Sequence, residues 1–372
     1  MGDCVCVCVM SGNFVQRGDF AVMNKAARAE AAVKSGVDLV LELPTPLALS
    51  SAERFAASAV RLLSDTGVVD YLSFGSECGD VSELSRAADA LLDERFPDLL
   101  REELAAGVSF AAARQAAARR IAGDAADVLS RPNDILGVEY VKAVRRHAPK
   151  IEPIAIRREG GGHDGGRLGA LPSASAIRAA IYAGDEASAM RSMTAASAEA
   201  FARETAAGRA PARLETCERA MLARLRGMSE DDWRAVGGTG EGLYHRFFDA
   251  ARQAAGFGEL LAMVKSKRYA LSRIRRAALC AYLGIRESDV PDRAPYIRPL
   301  AFNERGREAL AEMKRRSQLP ILTKPADVRK IGGAALGLFE TEARCTDLYT
   351  LCYPRLSEAK GGSEWRMSPS VV

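Results

Sequence analysis

Along the first half of the chain, short apolar runs alternate with longer segments whose apolar residues recur at helical spacing. Cys4 to Val9, "CVCVCV", has no polar interruption and predicts a strand buried on both faces, with Cys4, Cys6 and Cys8 on one side. "VMNKAARAEAAVKS" predicts a helix closed by Gly36, and "VDLVLELP" a second buried strand. "SSAERFAASAVRLLSDTG" reads as a helix with Ser at its start and Gly beyond its end, and "VVDYLSF" as a strand running into the turn "GSE". Residues 81–125 are Ala-rich and helical in pattern. "DILGVEYVKAVRRH" is a helix opened by Asn133, and "IEPIAIRR" a further strand. Strand and helix in alternation mean a parallel sheet covered by helices. Buried central strands seldom open a domain after three residues, so the expected fold is a doubly wound parallel α/β sheet lacking its first strand.

Beyond residue 185 the strand signal largely fades. "ARLETCERAMLARLRGM", "GLYHRFFDAARQA" and "YALSRIRRAALCAYLGI" carry the helical period instead. Two domains are expected, an α/β domain over 1–185 and a mainly α-helical domain over 186–372, with "KGGSEWRMSPSVV" as a frayed tail.

Composition narrows the function classes. The chain has 372 residues, 48% hydrophobic and 27% charged, and charges interrupt every apolar run before it is long enough to span a bilayer. No signal peptide is legible, so the cytoplasm is the expected compartment and no membrane partner is expected. The eight cysteines offer no paired CxxC motifs and read as small core hydrophobes. Three histidines exclude a histidine-rich metal site, and no metal ligands are assigned. The net charge of +4 is mild, but Arg and Lys concentrate in the C-terminal half.

Four motifs could carry chemistry on the ligand edge of one sheet. "FGSE" places Gly75 at a strand's C-terminal end, where a backbone open to a ligand is useful, though an ordinary turn also explains it. "RPND" puts Asn133 at a helix start, as a ligand contact or simply an N-cap. "IRREGGGHD" sets Arg157 and Arg158 at a strand end before glycines, His163 and Asp164, which suits phosphate recognition or a solvated edge. "SASAIR" offers Ser173 and Ser175 at a helix N-terminus, with Arg178 one turn on, as a candidate phosphate site or a plain capped helix. Separately, "KSKRYALSRIRR" carries Lys265, Lys267, Arg268, Arg273, Arg275 and Arg276. If it is one helix, Lys265, Arg268, Ser272, Arg275 and Arg276 share much of a face that suits an RNA backbone, or simply water.

In this order the motifs resemble the bacterial tRNA(Met) cytidine acetate ligases, relatives of the nucleotidylyltransferases. The matching stretches include "VMSGNFVQRGDFA", "GVDLVLELP", "GVVDYLSFGSE", "RPNDILGVEYVKA", "GGGHD", "SASAIR", "KRYALSRIRR" and "YIRPLAFNERGR". The resemblance implies a Rossmann-like nucleotidylyltransferase domain and a two-step ligation. Acetate attacks the α-phosphate of ATP, with Mg2+ alongside, to give acetyl-adenylate. The wobble cytidine of elongator tRNA(Met) then takes the acetyl group to become N4-acetylcytidine. By matched position it implies ATP contacts at Gly75, Asn133 and Arg158, with Arg157 beside them, and tRNA contacts along the basic run. One departure stands out: such proteins open with a strand and a two-histidine loop for the ATP phosphates, and here the first histidine is His147. The catalytic residues are therefore unassigned. Two alternatives remain from the sequence, an inactive tRNA-binding remnant and a nucleotidylyltransferase for a small cofactor.

Overall fold

The computed structural model describes residues 4–159 and 172–372. Among the described residues there are eight strands: β1 (Val7–Ser11), β2 (Phe14–Val15), β3 (Asp19–Phe20), β4 (Leu39–Leu43), β5 (Tyr71–Ser76), β6 (Glu152–Arg157), β7 (Pro299–Phe302) and β8 (Ser370–Val371). Contacts group the chain into two compact units. The first comprises Met1–Leu49, Gly160–Lys265 and Leu271–Val372, and the second Ser50–Glu159 with Ser266–Ala270. The grouping does not follow a boundary at residue 185, because the first unit joins the N-terminal strands to the later part of the chain and the second is an excursion between them.

The first unit is built on a four-stranded sheet in the order β1-β4-β7-β8. β1 and β4 are parallel, Val7 opposite Leu39, as the alternation of strand and helix requires. β4 is buried at every position, as its unbroken apolar pattern predicts. β1 ends this sheet and is only half-buried, and Cys4 and Cys6 lie exposed ahead of it, so the expected burial of Cys4 to Val9 on both faces is not met among the described residues. The crossover helix Lys25–Lys34 starts at Asn24, whose side chain accepts the Ala27 N–H. Its Ala29 and Val33 pack on Val40, Leu300 and Ala301. The β2–β3 hairpin buries Phe14 and Phe20 against Tyr349.

Two sequence expectations are corrected here. β7 lies after residue 185 yet joins the central sheet, antiparallel to β4, and β8 pairs with β7. At four and two residues these strands are too short to show a period. The tail is not frayed: Glu364 is fully buried.

The second unit pairs β5 with β6 in parallel, Gly75 opposite Ile156. The helices Ala52–Asp65 and Pro132–His147 lie in this unit. The Ala-rich stretch resolves into three helices, Val81–Leu92, Phe96–Ala105 and Phe110–Ala122. Their apolar faces close a core of Leu84, Leu91, Val128, Leu129, Val138 and Val141, joined by Phe74 and Ala155 from the strands. The opposite face of the ribbon is open, with Tyr71 61% and Ile156 51% exposed. Among the described residues, no helix is long and apolar enough to cross a membrane.

Candidate nucleotide site and basic surface

At the C-terminal ends of β5 and β6 the sequence brings two of its candidates into contact. Gly75 is the fifth residue of β5, and Arg158 follows the last residue of β6. The Arg158 N–H donates to the Ser76 carbonyl at 2.9 Å, which extends the ladder by one residue and turns the side chain back across Gly75. A methyl group added at Gly75 would meet Arg158 Cγ at 3.4 Å and Nη1 at 3.7 Å. A permanently charged, planar guanidinium therefore lies against exposed glycine backbone at the sheet end where α/β folds hold ligands. Arg157 serves this corner differently. Its Cβ packs on Gly79, which takes a φ of +67°, so it supports the turn after β5.

Asn133 is not an N-cap. The helix begins at Pro132, with Asn133 inside its first turn. The Asn133 amide Nδ2 donates to Glu77 Oε1 at 2.7 Å, and the Asp134 N–H donates to Glu77 Oε2 at 2.7 Å. In return the N–H groups of Glu77 and Cys78 donate to Asp134 Oδ1 at 2.7 and 3.0 Å. The strand-end turn and the helix N-terminus are thus stitched reciprocally. Burial pushes the Glu77 carboxyl up, but the Asn133 amide and the helix N–H groups outweigh it and hold it below the usual range. Glu77 and Asp134 were missed in the sequence. The signal available was an acid in each of two adjoining loops, and nothing local says that they exchange bonds.

"SASAIR" folds as read. Ser173 caps the helix Ala174–Tyr182 by accepting the Ala176 N–H, and Arg178 donates to the Ser175 hydroxyl at 3.3 Å. It belongs to the first unit, however, whereas Gly75, Asn133, Arg157 and Arg158 belong to the second. The four motifs do not share one sheet. His163 and Asp164 lie outside the described residues.

The basic run is not a single helix face either. The helix starts at Leu271; Lys265 ends the preceding helix, and Lys267 and Arg268 lie in the connection, which groups with the second unit. Arg268 lies over the ring of Tyr269. Arg273 donates to the Gly238 carbonyl at 2.8 Å, Arg276 is half-buried, and Arg275 is exposed. The hairpin tip meets this helix: Gly18 has a φ of +77°, and a methyl group there would lie 2.6 Å from the Arg276 backbone nitrogen.

A further constellation escaped the sequence reading. Lys25, fully buried, donates to Glu42 at 2.5 Å and to Glu364 at 2.6 Å. Arg298 also bonds Glu364, and Glu342 accepts from the Thr45 hydroxyl at 3.0 Å. The five charges come from five separate stretches of sequence, so no local pattern announces them.

Comparison with known proteins gives this arrangement a family. The model for the HIGH Nucleotidyl Transferase family matches residues 1–364. A tRNA(Met) cytidine acetate ligase of Acetivibrio thermocellus is 36% identical over 383 residues, covering 98% of this chain and 92% of that protein. That of Halothermothrix orenii is 36% identical, covering 96% and 90%. The crystal structure of apo Thermotoga maritima TmcAL superposes with a TM-score of 0.94 at 34% identity, covering 99% of this chain and 92% of the other. The same protein bound with alpha-thio ATP gives 0.90, with the same identity and coverage. This chain belongs to the HIGH nucleotidyl transferase family.

Proposed function

We propose that the chain is a tRNA(Met) cytidine acetate ligase that uses ATP to activate acetate and then acetylates the wobble cytidine of elongator tRNA(Met). The observation that carries the reading is the Arg158 guanidinium laid across Gly75 at the ends of two parallel strands, in a chain similar over nearly its whole length to proteins of that name. A relative solved with an ATP analogue supports the choice of nucleotide.

The chemistry follows from charge. As acetate attacks the α-phosphate, negative charge grows on the departing pyrophosphate. A fixed cation in a preformed position lowers that barrier more than a mobile one. Arg158 fills this role, the bare backbone of Gly75 admits the nucleotide closely, and Asn133 is held in orientation by Glu77. Mg2+ would arrive on the ATP phosphates, where it keeps most of its water. In the second step the cytidine amine displaces AMP from acetyl-adenylate. Lys265, Lys267, Arg268 and Arg275 are the tRNA contacts of this reading, with Arg273 and Arg276 of the same basic run holding the helix in place, together with the anion-binding capacity of Ser173, Ser175 and Arg178.

The test uses two assays on the purified chain. Acetate-dependent exchange of labelled pyrophosphate into ATP should be observed, and so should transfer of labelled acetate to tRNA(Met) but not to a transcript with uridine at the wobble position. Exchange that ignores acetate, or equal labelling of both transcripts, overturns the reading.

A further inference from the structure

Two of the eight cysteines meet. Cys4 and Cys6 are exposed, Cys8 and Cys78 half-buried, and Cys217, Cys280, Cys345 and Cys352 buried. The sulfurs of Cys217 and Cys352 lie 2.7 Å apart, although the residues are 135 positions apart in the sequence. Cys217 is in the first turn of the helix Leu214–Arg226, and Cys352 follows the helix Gly333–Thr350. Both belong to the first unit.

The backbone holds the two sulfurs together. The Arg213 N–H, just ahead of its helix, donates to the Cys352 carbonyl at 3.4 Å, and the Arg355 N–H donates to the Gly208 carbonyl at 3.0 Å. The chain entering one helix is thus tied at two points to the chain leaving the other. The Cys352 N–H donates to the Tyr349 carbonyl at 3.0 Å, which fixes the turn that carries this cysteine. Cys217 is 3% exposed and Cys352 0%. Packing alone asks for a small apolar side chain at each position, not for two sulfurs aimed at one another. A disulfide asks for that: its sulfurs are about 2.05 Å apart, less than about 1 Å closer than these already lie. Among the described residues no group of three metal-ligating side chains includes the pair, so a metal site does not account for it.

We propose that Cys217 and Cys352 form a reversible disulfide that clasps the helix Leu214–Arg226 to the segment after the helix Gly333–Thr350. The oxidant is a small-molecule disulfide. The Cys217 thiol, the less enclosed of the two, gives up its proton and attacks one sulfur of that disulfide, whose S–S bond breaks and releases a small thiolate. Cys352 then loses its proton and attacks the Cys217 sulfur of the mixed disulfide, releasing the second small thiolate. Two electrons pass from the protein's sulfurs to the small disulfide, and the two protons end on the thiols it becomes. Local opening of the turn at Cys352, beyond the last turn of its helix, gives the oxidant access. The bond closes a loop of 135 positions, so it restrains the unfolded chain strongly.

The test incubates the full chain with oxidised glutathione or with dithiothreitol, alkylates the remaining thiols in denaturant, and reads unreduced tryptic peptides by mass spectrometry. The oxidised sample should contain "LETCER" joined to "CTDLYTLCYPR" through Cys217 and Cys352, with Cys345 alkylated. Its melting temperature should exceed that of the reduced sample by roughly 5–10 °C, and dithiothreitol should reverse the rise. Cys352→Ser should show neither the linked peptide nor the rise, whereas Cys280→Ser should keep both. Recovery of Cys217 and Cys352 as alkylated thiols after oxidation overturns the pairing, as does a link from either one to Cys345 or Cys280. A linked chain that melts no higher than the reduced one overturns the clasp.

Discussion

Arg158 and Gly75 form a unit because one supplies charge and the other supplies room. On the proposed reading Arg158→Ala removes a charge-assisted contact to ATP, which costs about 1.5–3 kcal/mol, so ATP affinity should drop roughly tenfold to a hundredfold. Calorimetry on a variant with an unchanged circular dichroism spectrum checks this; full ATP affinity would place the phosphates elsewhere. Gly79 tests the supporting turn. Both Gly79 and Gly107 take positive φ, at +67° and +76°, so alanine strains each by about 1–2 kcal/mol. Only at Gly79 would the new methyl also strike Arg157, 2.5 Å from its Cβ, whereas at Gly107 nothing lies within 4 Å. Urea unfolding should show Gly79→Ala losing clearly more than Gly107→Ala, and equal losses would dismiss the contact. At this scale the sequence was informative where a residue's own chemistry decides. Glycine at a strand end and arginine after a strand are legible as candidates from their own chemistry, beside the plain turn and solvated edge that also explain them. Glu77 is not, because its meaning comes from the helix N-terminus it faces, 56 residues further on.

At the scale of elements, the helix Leu271–Leu283 divides its arginines by burial. Arg275 is exposed, while Arg276 has its side chain packed in and Arg273 is tied to Gly238. If tRNA lies here, Arg275→Ala should weaken binding and reduce the slope of log affinity against log salt by about one. Arg276→Ala should mainly lower the melting temperature instead, through lost packing of its stem. Filter-binding titrations over a range of salt, paired with thermal melts, separate the two, and identical salt slopes for all three proteins would remove this helix from the interface. The sequence showed that the run is basic. It could not show where the helix begins, since Tyr269 is buried outside it and Leu271 starts it without a local stop signal to separate them.

For the whole molecule, the buried charges under the sheet govern how stability follows pH. Burial raises Glu364, but Lys25 and Arg298 outweigh it and hold the carboxyl at about 2. Burial, with Glu42 adding to it, pushes Glu342 up to about 8. The two act in opposite windows. From the ordinary value of 4.5 down to about 2, the unfolded chain takes up a proton at Glu364 that the folded protein refuses, so stability falls as pH falls. From 4.5 up to about 8, the folded protein keeps a proton on Glu342 that the unfolded chain has lost, so stability falls as pH rises. Glu342→Gln mimics the protonated form and should therefore gain on wild type steadily between pH 5 and 8. Melting temperatures across that range check it, and parallel curves would mean that Glu342 is ionised throughout.

By itself, the sequence determined the alternation of strands and helices, that neighbouring strands run parallel where a helix crosses between them, and which glycine and arginine stand at strand ends as candidates for a site. Each of these is written in local periodicity or in one residue's conformational and charge chemistry. Only the tertiary structure decided that β7 and β8 return to the first sheet, that Glu364 is buried at the centre of an ion cluster, and that Glu342 accepts from Thr45. The physical reason is common to all three. Short strands and single charged residues acquire their environment from segments hundreds of positions away, and burial, which gives such charges their meaning, belongs to the packed whole rather than to any stretch of the chain.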